Sequence, residues 1–144
     1  MSVLYFAFAS NMVTAQMAKR CEGADPRGVA VLEDHRFLIG RRGYATVIGE
    51  PGAKVYGILW DLREEHEAAL DVYEGVRHGL YRRVWLPVRL ADGTEQLAIV
   101  YVAGDPARGT AVAGYMEKVV VAAEAHGLPA SYVAELREWL PKHE

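Results

Sequence analysis

The dipeptide Asp92-Gly93 constrains the fold of this 144-residue chain more than any other local feature, because it is typical of two-residue turns between antiparallel strands. Predicted strands over 81–90 and 96–103 flank it. In the first strand, apolar residues alternate with less apolar ones, at Val84, Leu86 and Val88. One face of the hairpin is therefore expected to pack on a core. Tyr81 is out of phase with that face, which a β-bulge or a strand buried on both sides would explain.

Hydrophobic periodicity predicts the remaining elements. Apolar runs predict strands over 3–8, 29–39, 45–48 and 55–60. Helical spacing predicts helices over 14–20, 64–73, 115–125 and 131–140. We therefore expect an α+β fold, a mixed and mostly antiparallel sheet or small β-barrel decorated by helices. With 51% apolar residues, the chain is long enough for one core and too short for two, so residues 1–144 are interpreted as a single domain.

Charge and cysteine usage narrow the classes of partner. The 16 basic residues are outnumbered by 19 acidic ones, so no nucleic-acid partner is expected. Cys21 is the single cysteine and cannot form an intramolecular disulfide, which favours a reducing, cytoplasmic location. The chain shows no basic leader and no apolar run of the ~18 residues that a membrane helix needs, so no membrane association is expected.

Metal ions, cofactors and enzyme nucleophiles have no support in the sequence. The five histidines show neither His-x-x-x-His nor Glu-x-x-His spacing, so no metal site is expected. No serine stands in a Gly-x-Ser-x-Gly elbow, which argues against a serine nucleophile. We therefore expect chemistry without a cofactor.

The first predicted strand stops in a small, polar loop that reads Phe8-Ala9-Ser10-Asn11. A sharp turn after a buried strand leaves backbone N–H groups that can bind a carboxylate or a developing oxyanion. The alternative is that Ser10 or Asn11 only caps the helix predicted over 14–20, which is a common use of these residues. The loop alone does not decide between these functions.

Glu74 follows the predicted helix 64–73 and precedes Gly75, a residue that can adopt a left-handed conformation and turn the chain. A carboxylate turned inward there can have a raised pKa suited to proton transfer. The alternative is a solvated glutamate, although an acid at this helix end opposes the helix dipole. Asp71 stands three residues earlier, so a pair of carboxylates is conceivable, but solvated surface is the better interpretation of Asp71.

Tyr81, Tyr101 and Tyr115 each lie in an element that should face the core, where a hydroxyl group needs a hydrogen-bond partner. They can line a polar pocket, although packing alone more often explains a buried tyrosine. The basic pairs Arg41-Arg42 and Arg82-Arg83 are either solvated or in contact with a substrate carboxylate, and the sequence does not decide.

Together these segments resemble the γ-glutamylcyclotransferase family, also described as AIG2-like. Its members have a strand that ends Tyr-Gly-Ser-Asn, followed far downstream by Leu-Asp-x-x-Glu-Gly-Val-x-x-Gly-x-Tyr. The downstream segment is intact here, at Leu70, Asp71, Glu74, Gly75, Val76, Gly79 and Tyr81. The segment 55–60 is similar to the family's Val-x-Gly-x-x-Trp strand, and the resemblance extends from Leu4 to about Tyr132.

The upstream loop departs from the family pattern at two positions. Phe8 lacks the hydroxyl group of the usual tyrosine, and Ala9 replaces the usual glycine. If position 9 requires a positive φ, the alanine costs ~1 kcal/mol of strain, whereas a negative φ costs nothing. The departure therefore leaves the shape of the pocket and the choice of substrate open.

The resemblance implies a γ-glutamylcyclotransferase-like fold and the conversion of a γ-glutamyl amino acid or γ-glutamylamine to 5-oxoproline with release of the amine. Glu74 would be the general acid and base of this cofactor-independent intramolecular acyl transfer. The implied substrate-binding residues are Phe8, Ala9, Ser10, Asn11, Tyr81, Tyr101 and Tyr115. The alternative is a binding module that keeps the pocket without turnover. A homodimer is compatible with the resemblance, and the sequence defines neither the oligomeric state nor the leaving amine.

Overall fold

Antiparallel pairing between neighbouring strands builds most of the fold, and the computed structural model describes residues 3–141. The strands are β1 (Val3–Ala7), β2 (Asp25–Ile39), β3 (Ala45–Leu62), β4 (Tyr81–Leu90) and β5 (Glu95–Ala103). They form a closed barrel in the order β1-β3-β2-β4-β5. The parallel contact between β1 and β5, at Tyr5 and Ile99, completes the closure. The predicted α+β class is confirmed, as a small barrel.

Helices cover the barrel at positions close to those predicted. They are α1 (Thr14–Arg20), α2 (Glu64–Tyr73), α3 (Tyr115–Ala125) and α4 (Ala130–Arg137). Short 3₁₀ turns occupy Ser10–Met12 and Val76–His78. The first three helices have the predicted bounds, whereas α4 begins one residue earlier and ends at Arg137 instead of Leu140. Among the described residues, no helix is long and apolar enough to cross a membrane.

The predicted separation of strands 45–48 and 55–60 is wrong, because both belong to the single long strand β3. Pro51-Gly52 lies within β3 at a register shift opposite Asp34, where the Gly52 N–H donates to the Asp34 carboxylate across 2.9 Å. Strand β2 likewise begins at Asp25, earlier than the predicted position 29, because Asp25-Pro26 pairs with the end of β3. At a register shift, a strand can contain residues such as Pro and Gly that usually form turns. Their sequence pattern therefore predicted loops at these two places.

Pairing of β4 with β5 resolves the phase of Tyr81. The register continues without interruption from Tyr81 opposite Ala103 to Arg89 opposite Glu95, so no bulge separates Tyr81 from the apolar face of β4. Both faces of β4 are covered at this end, since Tyr81, Arg83 and Val84 are all partly buried. Tyr81 therefore lies on the face of β4 opposite to that of Val84.

Close packing between β1 and β3 requires a glycine. Phe6 is fully buried on β1, and Gly57 lies against the end of the same strand on β3. A Cβ atom at Gly57 would lie 2.4 Å from the backbone oxygen of Ala7, closer than any normal contact. This glycine therefore sets the position of the strand end from which the Phe8–Asn11 loop continues.

Candidate active site

One cavity of about 480 Å³ brings together every residue that the sequence predicted for the site. Its lining includes Phe8, Ala9, Ser10, Asn11, Glu74, Tyr81, Tyr101 and Tyr115. These residues come from the loop after β1, the end of α2, strands β4 and β5, and the start of α3. Residues separated by more than a hundred positions in the chain thus share one concave surface, which is the usual form of a small-molecule site.

The loop after β1 forms one wall of the cavity through a 3₁₀ turn. The turn is closed by the Met12 N–H, which donates to the Ala9 oxygen across 3.0 Å. The first N–H groups of such a turn, here those of Ser10 and Asn11, have no partner within it and can bind an anion. The helix-cap hypothesis for these two residues is wrong, because Val13 occupies the N-cap position of α1 and no side chain caps that helix.

The side chain of Asn11 has a structural task instead of a capping one. It is 3% exposed, and its Oδ1 accepts hydrogen bonds from Arg20 across 2.9 Å and from Gln16 across 3.1 Å. Because both neighbours donate, the amide nitrogen must point the other way, and it donates to the Tyr5 hydroxyl across 3.0 Å. The Tyr5 oxygen therefore accepts, and its own hydrogen can be donated into the cavity that Tyr5 also lines.

The two departures from the family pattern concern the backbone at position 9 and the packing at position 8. Ala9 has a φ of −137°, so no left-handed conformation is required of the alanine. Phe8 is 6% exposed and packs edge-on against Phe37, with 6.3 Å between ring centroids. The loop therefore avoids the left-handed φ that would penalise an alanine at position 9, and the ring at position 8 adds to the core.

Glu74 ends α2 and turns into the cavity at Gly75, whose φ of +63° is left-handed. A side chain at Gly75 would also collide with Leu80, at 2.7 Å, so glycine is required for two reasons. Burial raises the pKa of the Glu74 carboxyl to about 7, and the positive charge of Arg20 opposes part of that rise. Within the described part of the chain, the carboxylate forms no hydrogen bond or ion pair. It can exchange a proton with a bound molecule near neutral pH.

Tyr81 and Tyr115 are held by the backbone of one residue, Ala45, at the start of β3. Tyr81 donates its hydroxyl hydrogen to the Ala45 oxygen across 2.8 Å, and the Ala45 N–H donates to the Tyr115 oxygen across 3.2 Å. Tyr115 thus keeps a hydrogen to donate, whereas Tyr81 keeps an acceptor oxygen. Burial raises the pKa of Tyr115 to about 12, and the negative charge of Glu74 contributes to that rise. Burial also raises the pKa of Tyr81. Both hydroxyl groups stay protonated at neutral pH.

Tyr101 contacts Asp71, which corrects the interpretation of Asp71 as solvated surface. The Tyr101 hydroxyl donates to Asp71 Oδ1 across 2.6 Å, and Arg83 lies 3.3 Å from Oδ2. Burial and then the hydrogen bond to Asp71 raise the pKa of Tyr101. Asp71 is absent from the cavity lining, so it does not pair there with Glu74 as a second carboxylate.

Several residues that line the cavity were not predicted. They include Tyr5, Gln16, Arg20, Tyr44, Tyr73 and Lys118. Arg42, which the sequence left undecided, also lines the cavity, while Arg41 pairs with Asp105 across 3.2 Å. Among the described residues of the lining, three cations face the single carboxylate of Glu74. The spacing of Gln16 and Arg20, four residues apart on α1, was the available signal, since it places both on one helix face.

Among residues 3–141, no group of three or more His, Cys, Asp or Glu side chains is placed so that it could hold a metal ion.

The comparisons with known proteins identify the family of this chain. Residues 54–136, more than half of the chain, match the model of the AIG2-like family. The chain belongs to the AIG2-like family.

Relatives of this AIG2-like protein include the human and bovine proteins named gamma-glutamylcyclotransferase, each 28% identical to it. The human alignment covers 94% of this chain and 78% of the relative. A solved structure titled gamma-glutamyl cyclotransferase superposes with a TM-score of 0.91 at 27% identity, over 100% of this chain and 91% of that one. A yeast structure, titled as a gamma-glutamyl cyclotransferase specific to glutathione, shares the fold with a TM-score of 0.62 at 11% identity over 95% of this chain and 94% of that one. The predicted family is confirmed.

Proposed function

We propose that this AIG2-like protein is a cyclotransferase that converts a γ-glutamyl amino acid or γ-glutamylamine to 5-oxoproline and releases the amine. Relatives named for this activity at 28% identity, together with a structural likeness at a TM-score of 0.91, support an enzyme of this kind. The observation that carries the proposal is the Glu74 carboxyl, which lines the cavity and has a pKa of about 7. A carboxylate with that pKa can both take and return a proton at neutral pH.

Glu74 would begin the reaction by removing a proton from the α-ammonium group of the substrate. The freed amine then attacks the γ-carbonyl carbon of the same molecule, and a five-membered ring closes around a tetrahedral carbon that carries an oxyanion. As the oxyanion collapses, the bond to the leaving nitrogen breaks. Protonated Glu74 gives this first proton to that nitrogen, and the ring nitrogen, as it becomes an amide, loses a second proton that passes through the regenerated carboxylate to the released amine. The enzyme thus ends in the state in which it began. No electrons leave or enter, and no enzyme nucleophile is needed.

The oxyanion needs donors, and the cavity offers two kinds. The backbone N–H groups of Ser10 and Asn11 have no partner within their turn. The hydroxyl groups of Tyr5 and Tyr115 each accept a hydrogen bond from the protein and keep a hydrogen to donate. Donors held in place before the substrate arrives stabilise developing charge without reorganising.

Substrate charge matches the cavity as well. A γ-glutamyl compound carries at least one carboxylate, and Arg20, Arg42 and Lys118 supply the positive charge. Because the attack is intramolecular, holding the extended glutamyl chain in a bent conformation is a large part of the catalytic task. A partly closed cavity with walls from several helices and strands suits that task.

The product distinguishes this reaction from hydrolysis. The purified protein should be incubated with a panel of γ-glutamyl amino acids and γ-glutamylamines, and 5-oxoproline, glutamate and the amine should be quantified by mass spectrometry. We expect 5-oxoproline and amine in equal amounts. Glutamate in place of 5-oxoproline would mean that water, not the substrate amine, attacks. Binding of these compounds without any product would instead identify a binding module.

A further inference from the structure

Asp71 lies outside the cavity lining but accepts a hydrogen bond from Tyr101, a residue that belongs to that lining. Its Oδ1 accepts from the Tyr101 hydroxyl across 2.6 Å, and its Oδ2 lies 3.3 Å from Nη1 of Arg83. Arg83 also contacts Glu67, one turn earlier on α2, with 2.5 Å between Nη2 and Oε1. Both oxygens of Asp71 therefore face donors, and the carboxylate cannot rotate without losing one of these contacts.

The charge of Asp71 decides which role Tyr101 can play. An ionised carboxylate only accepts hydrogen bonds, so the single hydroxyl hydrogen of Tyr101 is committed to Asp71. Tyr101 is 3% exposed and lines the cavity, where its oxygen can act only as an acceptor. Tyr5 has the opposite role, since Asn11 donates to it and leaves its hydrogen available. The two tyrosine rings pack edge-on, with 5.7 Å between centroids.

The hydroxyl oxygen of Tyr101 lies beside α2, because its hydrogen-bond partner Asp71 belongs to that helix. Asp71 and Glu74 are three residues apart at the end of this helix, a spacing that places side chains on one face about 5–6 Å apart at their Cβ atoms. Resting on the function proposed above, we propose that Asp71 is a positioning residue, which fixes Tyr101 as an acceptor for the α-ammonium group of the γ-glutamyl substrate. Glu74 takes one proton of that group, while Tyr101 holds a second hydrogen and orients the nitrogen.

The variant Asp71→Asn tests this role because it keeps the shape of the side chain and changes its hydrogen bonding. The amide oxygen should turn towards the Arg83 donor, so the amide nitrogen would face Tyr101 and donate to it. The Tyr101 hydrogen would then be released into the cavity, and the oxygen would no longer be free to accept. We expect KM to rise about tenfold, the size of one hydrogen bond to a charged group, with a smaller change in kcat.

A double-mutant cycle shows whether Asp71 acts through Tyr101. Tyr101→Phe should raise KM by a similar factor, and Asp71→Asn should add no further loss in the Tyr101→Phe background. Glu67→Gln is the matched control, because Glu67 binds the same arginine from the same helix without touching Tyr101. It should leave kcat and KM within about twofold of the native values, because the ion pair that it removes lies outside the cavity lining.

Urea unfolding of the four proteins of the cycle, which are the native protein, the two single variants and the double variant, separates an effect on positioning from an effect on stability. Additive losses in kcat/KM, or a native KM in Asp71→Asn, would overturn the positioning role even if the stabilities of the two variants are coupled. An equal loss in Glu67→Gln would show that the ion pair with Arg83 matters and Tyr101 does not. If the native protein forms no 5-oxoproline from any γ-glutamyl compound, the proposed function is wrong, and the positioning role of Asp71, which rests on it, is wrong as well. The proposal is supported only if the native protein forms 5-oxoproline and the losses in kcat/KM of Asp71→Asn and Tyr101→Phe are not additive.

Discussion

The side-chain nitrogen of Asn11 lies 3.0 Å from the hydroxyl oxygen of Tyr5, and this contact fixes how a buried tyrosine presents its hydrogen. Arg20 and Gln16 hold the other end of the amide, so Asn11 cannot turn around. Position 11 thus joins α1 to β1 within the protein and also lines the cavity. The hydrogen-bond polarity of this wall is set before any substrate binds.

Asn11→Leu should destabilise the protein, because leucine has a similar size and makes none of the three hydrogen bonds. The variant leaves Tyr5 and Arg20 without their partner, and we expect the free energy of unfolding to fall by about 2–4 kcal/mol. Urea denaturation measures this loss. Tyr132→Phe is a useful comparison, since its hydroxyl is equally buried and has no hydrogen-bond partner of good geometry, and it should cost much less. A loss in Asn11→Leu no larger than that of Tyr132→Phe would contradict this account of Asn11.

The pH dependence of kcat/KM should report Glu74. Only the carboxylate form can take the ammonium proton, so activity should rise with pH and level off above about 7, the pKa of Glu74 in the free enzyme. Arg20 lowers this pKa. Arg20→Met should therefore move the rising limb to higher pH. A limb that stays in place, or moves to lower pH, would remove Arg20 from this role.

Glu74→Gln should stabilise the protein at alkaline pH. The folded pKa of about 7 lies above the ordinary value of 4.5, so the folded state binds the extra proton between these values. The resulting stability is present below pH 4.5 and is lost as the pH rises through about 7. Glutamine carries no charge at any of these pH values. At pH 8 the free energy of unfolding of the variant should therefore be larger than that of the native protein by about 2 kcal/mol, allowing for partial solvent screening.

Calorimetry or urea unfolding of both proteins at pH 4.5 and pH 8 provides the comparison. The two stabilities should nearly converge at the lower pH, where the native Glu74 is protonated in the folded state and about half protonated in the unfolded state. Equal stabilities at pH 8 would mean that the carboxylate is better solvated in the protein than its burial suggests.

Gly57→Ala should destabilise the barrel because the added Cβ would lie 2.4 Å from the Ala7 oxygen. Overpacking of this kind costs about 1–3 kcal/mol, and it should also move the loop that follows β1. Gly49→Ala, on the same strand, has no atom within 4 Å of its added Cβ and serves as the control. Urea unfolding should separate the two variants clearly, and similar midpoints would refute the close approach of β3 to β1.

Local patterns predicted the helices and most strands because each carries its own periodicity. The bounds of α2 follow from helical spacing that ends at Glu74 and Gly75. The full length of β3 could not be predicted from the sequence, since Pro51-Gly52 lies inside this strand and has the composition of a turn. Only the partner strand β2, with Asp34 at the register shift, makes this segment part of a sheet. Closure of β1 onto β5 is likewise a tertiary contact with no local signal.

The candidate site divides in a similar way. Glu74 and the loop at Ser10 were predictable because a glycine or a strand end marks each of them. The task of Asn11 was not, because its partners Tyr5, Gln16 and Arg20 meet only after α1 folds back on the loop. Asp71 was misjudged because its partner Tyr101 is thirty residues away, and polar contacts between distant elements leave no periodic trace.

Rate and binding measured side by side for the native protein and Glu74→Gln test the central claim most directly. The γ-glutamyl compound that gives the most 5-oxoproline should be used, with product followed by mass spectrometry and affinity by calorimetry. If Glu74 transfers the proton, the variant should lose at least about a hundredfold in kcat, the usual contribution of a general acid or base, while its affinity stays within a few fold. Undiminished formation of 5-oxoproline by Glu74→Gln would contradict the account.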